Sequence, residues 1–120
     1  MAVTIDLEVQ QPYFDAIKSG IKTIEGRLAK QKYLNLQPGD SIRFTAPPNS
    51  TSIVKTVAKV HRYATFREAF KEQNFQLAIP DARSVDDAVA VYERFYPRQI
   101  QDEIGVVFIE LASTTPVMTK

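Results

Sequence analysis

GIKTIEGRL, residues 20–28, reads as a β-strand that carries a lysine, a threonine, a glutamate and an arginine within six residues. Side chains of a strand alternate between faces. An unbroken strand over residues 21–28 therefore puts Ile21, Thr23, Glu25 and Arg27 on one face and Lys22, Ile24, Gly26 and Leu28 on the other. Glu25 then stands about 6.5–7 Å from both Thr23 and Arg27, within reach of the arginine head, and Lys22 lies across the sheet. A glycine inside a strand marks a bulge or a close approach by another group, and a bulge at Gly26 would bring Lys22 and Glu25 to one cavity. Two meanings follow. Glu25 and Arg27 form an exposed ion pair worth about 0–1 kcal/mol, with Lys22 guarding a sheet edge. Alternatively, the group is the rim of a site in which a lysine holds a phosphate or carbonyl oxygen while a carboxylate accepts a hydrogen bond or proton.

Working outward, VTIDLE at residues 3–8 alternates apolar and acidic positions and predicts the first strand. Pro12 suits a helix start, Phe14, Ile17 and Ile21 recur at helical spacing, and Gly20 supplies a left-handed terminus, so a short helix over Pro12–Ser19 precedes the quoted strand. The turn QPGD at 37–40 leads into the strand SIRF, and the proline-rich loop APPNSTS at 46–52 leads into the long β-branched IVKTVAKVHRY. Thr65 with Glu68 forms a capping box for a helix to about Asn74. Ser84 opens a second capped helix with Val85, Ala88, Tyr92 and Phe95 on one face, ended by Pro97, and GVVFIEL at 105–111 is a final apolar strand. The order β, α, β, β, β, α, α, β has no repeated βαβ unit and predicts an α+β fold, a small mostly antiparallel β-barrel with flanking helices. One domain is expected over residues 1–112, with a flexible C-terminal tail over 113–120.

The chain has 120 residues and is 44% hydrophobic, enough for one core. With no cysteine and a single histidine, His61, it lacks the residues of cysteine or histidine metal sites, and neither metal nor cofactor is expected. No apolar run of about 18 residues exists to span a bilayer, and MAVTIDLEVQ does not resemble a secretory leader, so a cytoplasmic protein without membrane association is expected. The net charge of +1 conceals a division: residues 1–17 carry −3, residues 63–120 carry −3, and residues 18–62 hold nine basic against two acidic residues, +7. A basic segment of this kind can concentrate positive potential on one face and attract phosphates, or consist of solvated strand faces neutralised by the acidic helices. Tyr33, Phe44 and Tyr63 interleave with it; Phe44 suits a core, while Tyr33 and Tyr63 are candidates for stacking on bases. Phosphate-loop, zincin, nucleophile-elbow and dinucleotide motifs are all absent from the sequence.

The blocks KSGIKTIEGRL, LQPGDSIRF, VHRYATFREAF, VYERFYP and GVVFIEL occur in the order and spacing of small ASCH-domain proteins, and the chain resembles that family over about residues 5–111. The most specific part is G-x-K-T-x-E-x-R. The resemblance implies a PUA-like barrel and a role in RNA binding, RNA processing or coactivation. One related group removes the acetyl group from N4-acetylcytidine with a lysine, a threonine three residues later and a downstream glutamate. Lys22 matches that lysine, but Glu25 stands in the threonine's place, Thr23 lies two residues earlier, and Glu72 falls near the downstream acid.

The expected function is binding of RNA, a nucleobase or a nucleotide in a basic cleft, with Lys22 and Arg27 on anionic groups, Glu25 on base or ribose donors, and Thr23 and Tyr63 as further contacts. One alternative is a small hydrolase, an acetylcytidine amidohydrolase or a ribonuclease. It would use Lys22 to polarise the scissile group and Glu25 as base, with Thr23 and Glu72 as weaker candidates. The other is a protein-interaction module in which the same residues are structural ion pairs.

Overall fold

The computed structural model describes residues 2–48 and 51–112. Its elements are β1 (Thr4–Glu8), α1 (Tyr13–Ser19), β2 (Ile24–Leu28), α2 (Gln31–Leu34), β3 (Ser41–Ala46), β4 (Thr51–Tyr63), α3 (Phe66–Ala69), α4 (Phe75–Ala78), α5 (Val85–Phe95), α6 (Arg98–Ile104) and β5 (Val106–Leu111). The expected tail at 113–120 lies outside the described residues.

The five strands form one curled sheet in the order β1-β3-β4-β5-β2. Only β1 and β3 pair in parallel; β3–β4, β4–β5 and β5–β2 are antiparallel. The curl is built into β4. Its first half pairs with β3 and its second half with β5, and the register shifts between Val57 and Lys59, the kind of irregularity that bends a strand and increases its twist. The fold class is as expected, α+β and mostly antiparallel, but the sheet is a half-barrel. β1 and β2 end it as separate edges, bridged by a side chain, because Arg27 Nη2 donates to the Glu8 carbonyl at 3.1 Å.

Two cores lie on the two faces of this sheet. Leu7, Ile42, Phe44, Val57, Val107 and Ile109 fill the concave side together with Phe14 and Ile17 of α1. Phe66, Phe70, Val89, Tyr92, Val106 and Phe108 pack under α3–α5 on the other. β5 sends alternate residues into both, which is why Val106–Ile109 are apolar without interruption before Glu110.

Three local expectations need correction. The quoted strand begins at Ile24 rather than Ile21, because the Lys22 amide bonds to Ala16 O at 3.0 Å and the Thr23 amide to Leu77 O at 3.0 Å, tying the segment to helices before it reaches the sheet. The helix expected from Thr65 to about Asn74 ends at Ala69, and a separate short helix starts beyond Asn74. After Ala69 the chain tightens into i→i−3 bonds, and the Asn74 side chain accepts from the Gln76 amide at 2.9 Å to start α4. Beyond Pro97 a further helix, α6, forms, and a short α2 follows β2. Both predicted caps are present: Thr65 Oγ1 accepts from the Glu68 amide and Ser84 Oγ from the Asp87 amide, each at 3.1 Å. At Gly20 the φ of 88° gives the left-handed terminus of α1.

Candidate functional site

β2 is an edge strand, so half of its backbone has no sheet partner. The amide of Leu111 bonds to Thr23 O at 2.8 Å and the amide of Ala29 to Gly105 O at 2.9 Å. By the antiparallel alternation, Glu25 and Arg27 therefore exchange hydrogen bonds with β5, and the polar groups of Ile24, Gly26 and Leu28 point away from it. The outward carbonyls of Ile24 and Leu28 are taken, the first by Lys22 Nζ at 2.6 Å and the second by the Lys30 amide at 2.7 Å. Gly26, between them, opens onto a cleft of about 230 Å³. The end of β1 (Glu8, Val9, Gln10), Tyr13 of α1, Ile79 and the C-terminal part of α5 with Tyr96 complete its walls.

Lys22, Glu25 and Arg27 meet at this edge. Lys22 is 4% and Glu25 5% exposed. The Lys22 ammonium lies 2.6 Å from both Ile24 O and Ala78 O and 3.5 Å from Glu25 Oε1, which uses its three donors within the protein. Arg27 Nε donates to Glu25 Oε2 at 2.6 Å. The expectation of an exposed ion pair is thus overturned, because the loop after α4 and helix α5 cover the edge. The separation of Lys22 from Glu25 across the sheet also fails, because Lys22 precedes the strand and folds back onto it.

Burial pushes the Lys22 ammonium below its ordinary pKa, and the Glu25 charge offsets part of that loss. For Arg27 burial is the largest single influence and opposes the charge, but the Glu25 carboxylate together with Tyr96 and Tyr33 more than offsets it and raises the guanidinium pKa. The cluster carries a net +1, with the single carboxylate at its centre.

Tyr92 completes the geometry. Its ring stacks on Phe66, with centroids 4.1 Å apart and planes 2° from parallel, which places its hydroxyl directly over Gly26. A Cβ at position 26 would lie 2.9 Å from that oxygen, so the glycine is required for the approach. Burial first, and the Glu25 charge second, raise the Tyr92 pKa well above 10, so the phenol keeps its proton. The Gly26 backbone acts on the hydroxyl without reaching hydrogen-bond geometry. Among the described residues, Tyr92 Oη is the buried side-chain polar atom left without a partner.

The other candidate residues lie apart from this cleft. Thr23 lines a second, smaller cavity near Lys18 and Lys55. Tyr63 is on the outer face of β4, where its hydroxyl donates to Glu72 Oε1 at 3.2 Å and accepts from Gln73 Nε2 at 2.8 Å. Tyr33 and Phe44 belong to the concave core. The basic segment is dispersed: Lys22 and Arg27 enclose Glu25, Arg43 pairs with Asp6, and Lys59 stands opposite Glu110. Phe95, read on one helix face with Val85, Ala88 and Tyr92, is 57% exposed at the cleft mouth, whereas Ala88 and Tyr92 are buried. Tyr92 and Phe95 both sit in a regular apolar helix pattern, so nothing in the sequence separates them from core residues. Among the described residues no cluster of three or more His, Asp or Glu side chains is placed to hold a metal, and no helix is long and apolar enough to cross a membrane.

The sequence profile of the ASCH domain matches residues 7–115. The chain belongs to the ASCH domain family. Hypothetical protein PH0355, known from a crystal structure, is 31% identical, with 95% of this chain and 100% of that one aligned at a TM-score of 0.79. Protein PF0455 from Pyrococcus furiosus, solved by NMR, is 30% identical over 94% of this chain and 97% of its own, at a TM-score of 0.71. The ASCH domain from Lactobacillus crispatus JV V101 shares the fold at 14% identity and a TM-score of 0.62, covering 93% and 79% of the two chains. Among curated proteins none matches. The ASCH domain is a PUA-like fold associated with RNA binding, and the half-barrel with flanking helices is consistent with it.

Proposed function

We propose that this ASCH domain binds single-stranded RNA, with one nucleotide seated in the cleft between the β1 and β2 edges. The observation that supports this reading most directly is the cleft itself, which has apolar and aromatic walls converging on a buried Lys22–Glu25–Arg27 cluster. Sequence-specific RNA modules splay single bases out of the strand, stack them on aromatic rings and read their edges with polar groups. Phe95, exposed at the mouth beside Tyr96, is a stacking surface of this kind, and exposed cations outside the cleft such as Lys18, Lys30 and Lys32 supply phosphate contacts. Lys22 then acts by holding Glu25 in position, since its donors are already committed. That arrangement also favours binding over hydrolysis: Lys22 and Glu25 share the cleft, but Thr23 and Glu72 do not line it.

The test is fluorescence anisotropy of a labelled single-stranded RNA against the wild type, Phe95→Ala and His61→Ala. Phe95→Ala should weaken binding by about 1–3 kcal/mol while the protein stays folded. His61→Ala, on the outer face of β4, should leave affinity unchanged, and affinity should fall steeply with salt for all three. Equal affinity of wild type and Phe95→Ala, or a loss confined to His61→Ala, would place the RNA elsewhere.

A further inference from the structure

Resting on the reading of the cleft as the RNA site, we propose that it accepts the uncharged edge of a single nucleobase and not a phosphate, and that the Tyr92 hydroxyl is the hydrogen-bond donor that reads it.

The cleft has little to offer an anion. Lys22 is fully engaged, with Ile24 O, Ala78 O and Glu25, and Arg27 commits its Nε to Glu25 Oε2 and one Nη2 hydrogen to Glu8 O, which leaves it oriented by the carboxylate it neutralises. Glu25, buried between them, would face an entering phosphate as a like charge in a poorly solvated site. Val9, Ile79, Val91 and Phe95 provide apolar wall on which a dianion would lose its hydration without compensation. The volume of about 230 Å³ is below the roughly 300–1,000 Å³ of clefts for drug-sized ligands, so it has room for one planar ring system and not for several.

What the cleft does offer is a short set of neutral and acceptor groups. Ile24 O and Leu28 O are occupied, so an extended peptide could not add a full strand to β2, and the opening in this edge is one residue wide at Gly26. There Tyr92 Oη lies over Gly26, buried and without a partner, at the wall that Tyr92 and Gly26 give the cleft. The Gly26 carbonyl, turned away from β5, and the Glu25 carboxylate are acceptors in the same cleft. A ligand that complements them carries an acceptor beside an N–H in one plane, which is the hydrogen-bonding edge of a nucleobase.

An unpaired buried hydroxyl is a cost to the folded protein, of a size comparable to a lost hydrogen bond. That cost gives the proposal a signature that a structural tyrosine would not show. Tyr92→Phe keeps the ring stacked on Phe66 and removes only the oxygen, so the melting temperature should stay the same or rise while RNA affinity falls about five- to tenfold. Nucleosides should displace labelled RNA from the wild type, and inorganic phosphate at matched ionic strength should not.

A wild type that binds no RNA would remove the reading of the cleft altogether. A wild type that binds, with Tyr92→Phe binding equally well, would leave that reading intact and overturn the role given to Tyr92. Loss of stability together with affinity in Tyr92→Phe would mark the hydroxyl as structural, and displacement by phosphate as effective as by nucleosides would assign the cleft to the backbone. Either result overturns the proposal.

Discussion

Glu25 on β2 and Glu110 on β5 each face basic partners, Lys22 and Arg27 in the first case and His61 in the second, yet the Glu25 side chain is 6% exposed and that of Glu110 34%. Both sit on strands paired with each other, and the sequence reads only the first as a possible surface ion pair. The difference is the helical cover. The end of α4 and helix α5 close over the β2 edge, whereas the second half of β4, where His61 and Tyr63 lie, keeps a face open to water. A glutamate with basic partners thus becomes a desolvated cluster in one place and a partly solvated pair in the other.

Replacing each carboxylate tests this contrast most strongly. Glu25→Gln leaves the buried Lys22 ammonium uncompensated and should cost about 3–5 kcal/mol, read as a lower urea midpoint with unchanged slope. Glu110→Gln should cost about 0–1 kcal/mol. Equal small shifts in the two variants would show that the covered cluster is hydrated after all.

A smaller effect is expected where the cover meets the strand. A methyl group at Gly26 would lie 2.9 Å from Tyr92 Oη and 3.1 Å from Phe108 Cε1, two rings packed in the same core. Gly26→Ala should therefore destabilise by about 1–3 kcal/mol. It should also displace the Tyr92 hydroxyl, which chemical-shift changes at Tyr92 would report. An unperturbed Tyr92 with full stability would mean that α5 sits loosely on β2.

The finest distinction is in alkaline titration. Burial lowers the folded-state pKa of Lys22 below 10.5, so between that value and 10.5 the unfolded chain holds more protons and the Lys22 contribution to stability rises with pH. Tyr92 acts in the opposite sense above 10, where the unfolded phenol ionises first. The stability difference between wild type and Lys22→Met should thus increase from neutral pH towards about 10, as denaturant melts at several pH values would show. A flat difference would indicate an ammonium as well solvated as any on the open face.

Much of this was legible in the residues. The capping pairs Thr65–Glu68 and Ser84–Asp87, the Gly20 terminus of α1 and the apolar run Val106–Ile109 of β5 are local signals, and each has its expected counterpart. The motif containing Lys22, Glu25 and Arg27 also marked the place where the cleft forms. Tyr63 and Glu72 were not separable from the site by sequence, because their mutual hydrogen bond depends on where the chain turns after β4. Tyr92 and Phe95 were hidden for the opposite reason: an aromatic in a helical pattern looks the same whether it fills a core or lines a cleft.

By itself the sequence determined the strands, the helix starts, the α+β class and the segment rich in functional groups, since these depend on periodicity and on bonds between near neighbours. Only the tertiary structure decided that the barrel stays half open, that Lys22 turns back onto Glu25, and that one tyrosine hydroxyl is left over Gly26. Those outcomes depend on which distant segment covers which edge, and therefore on burial. Burial converts a solvated charge into a desolvated one at a cost of several kcal/mol, and no local pattern of residues states whether it will occur.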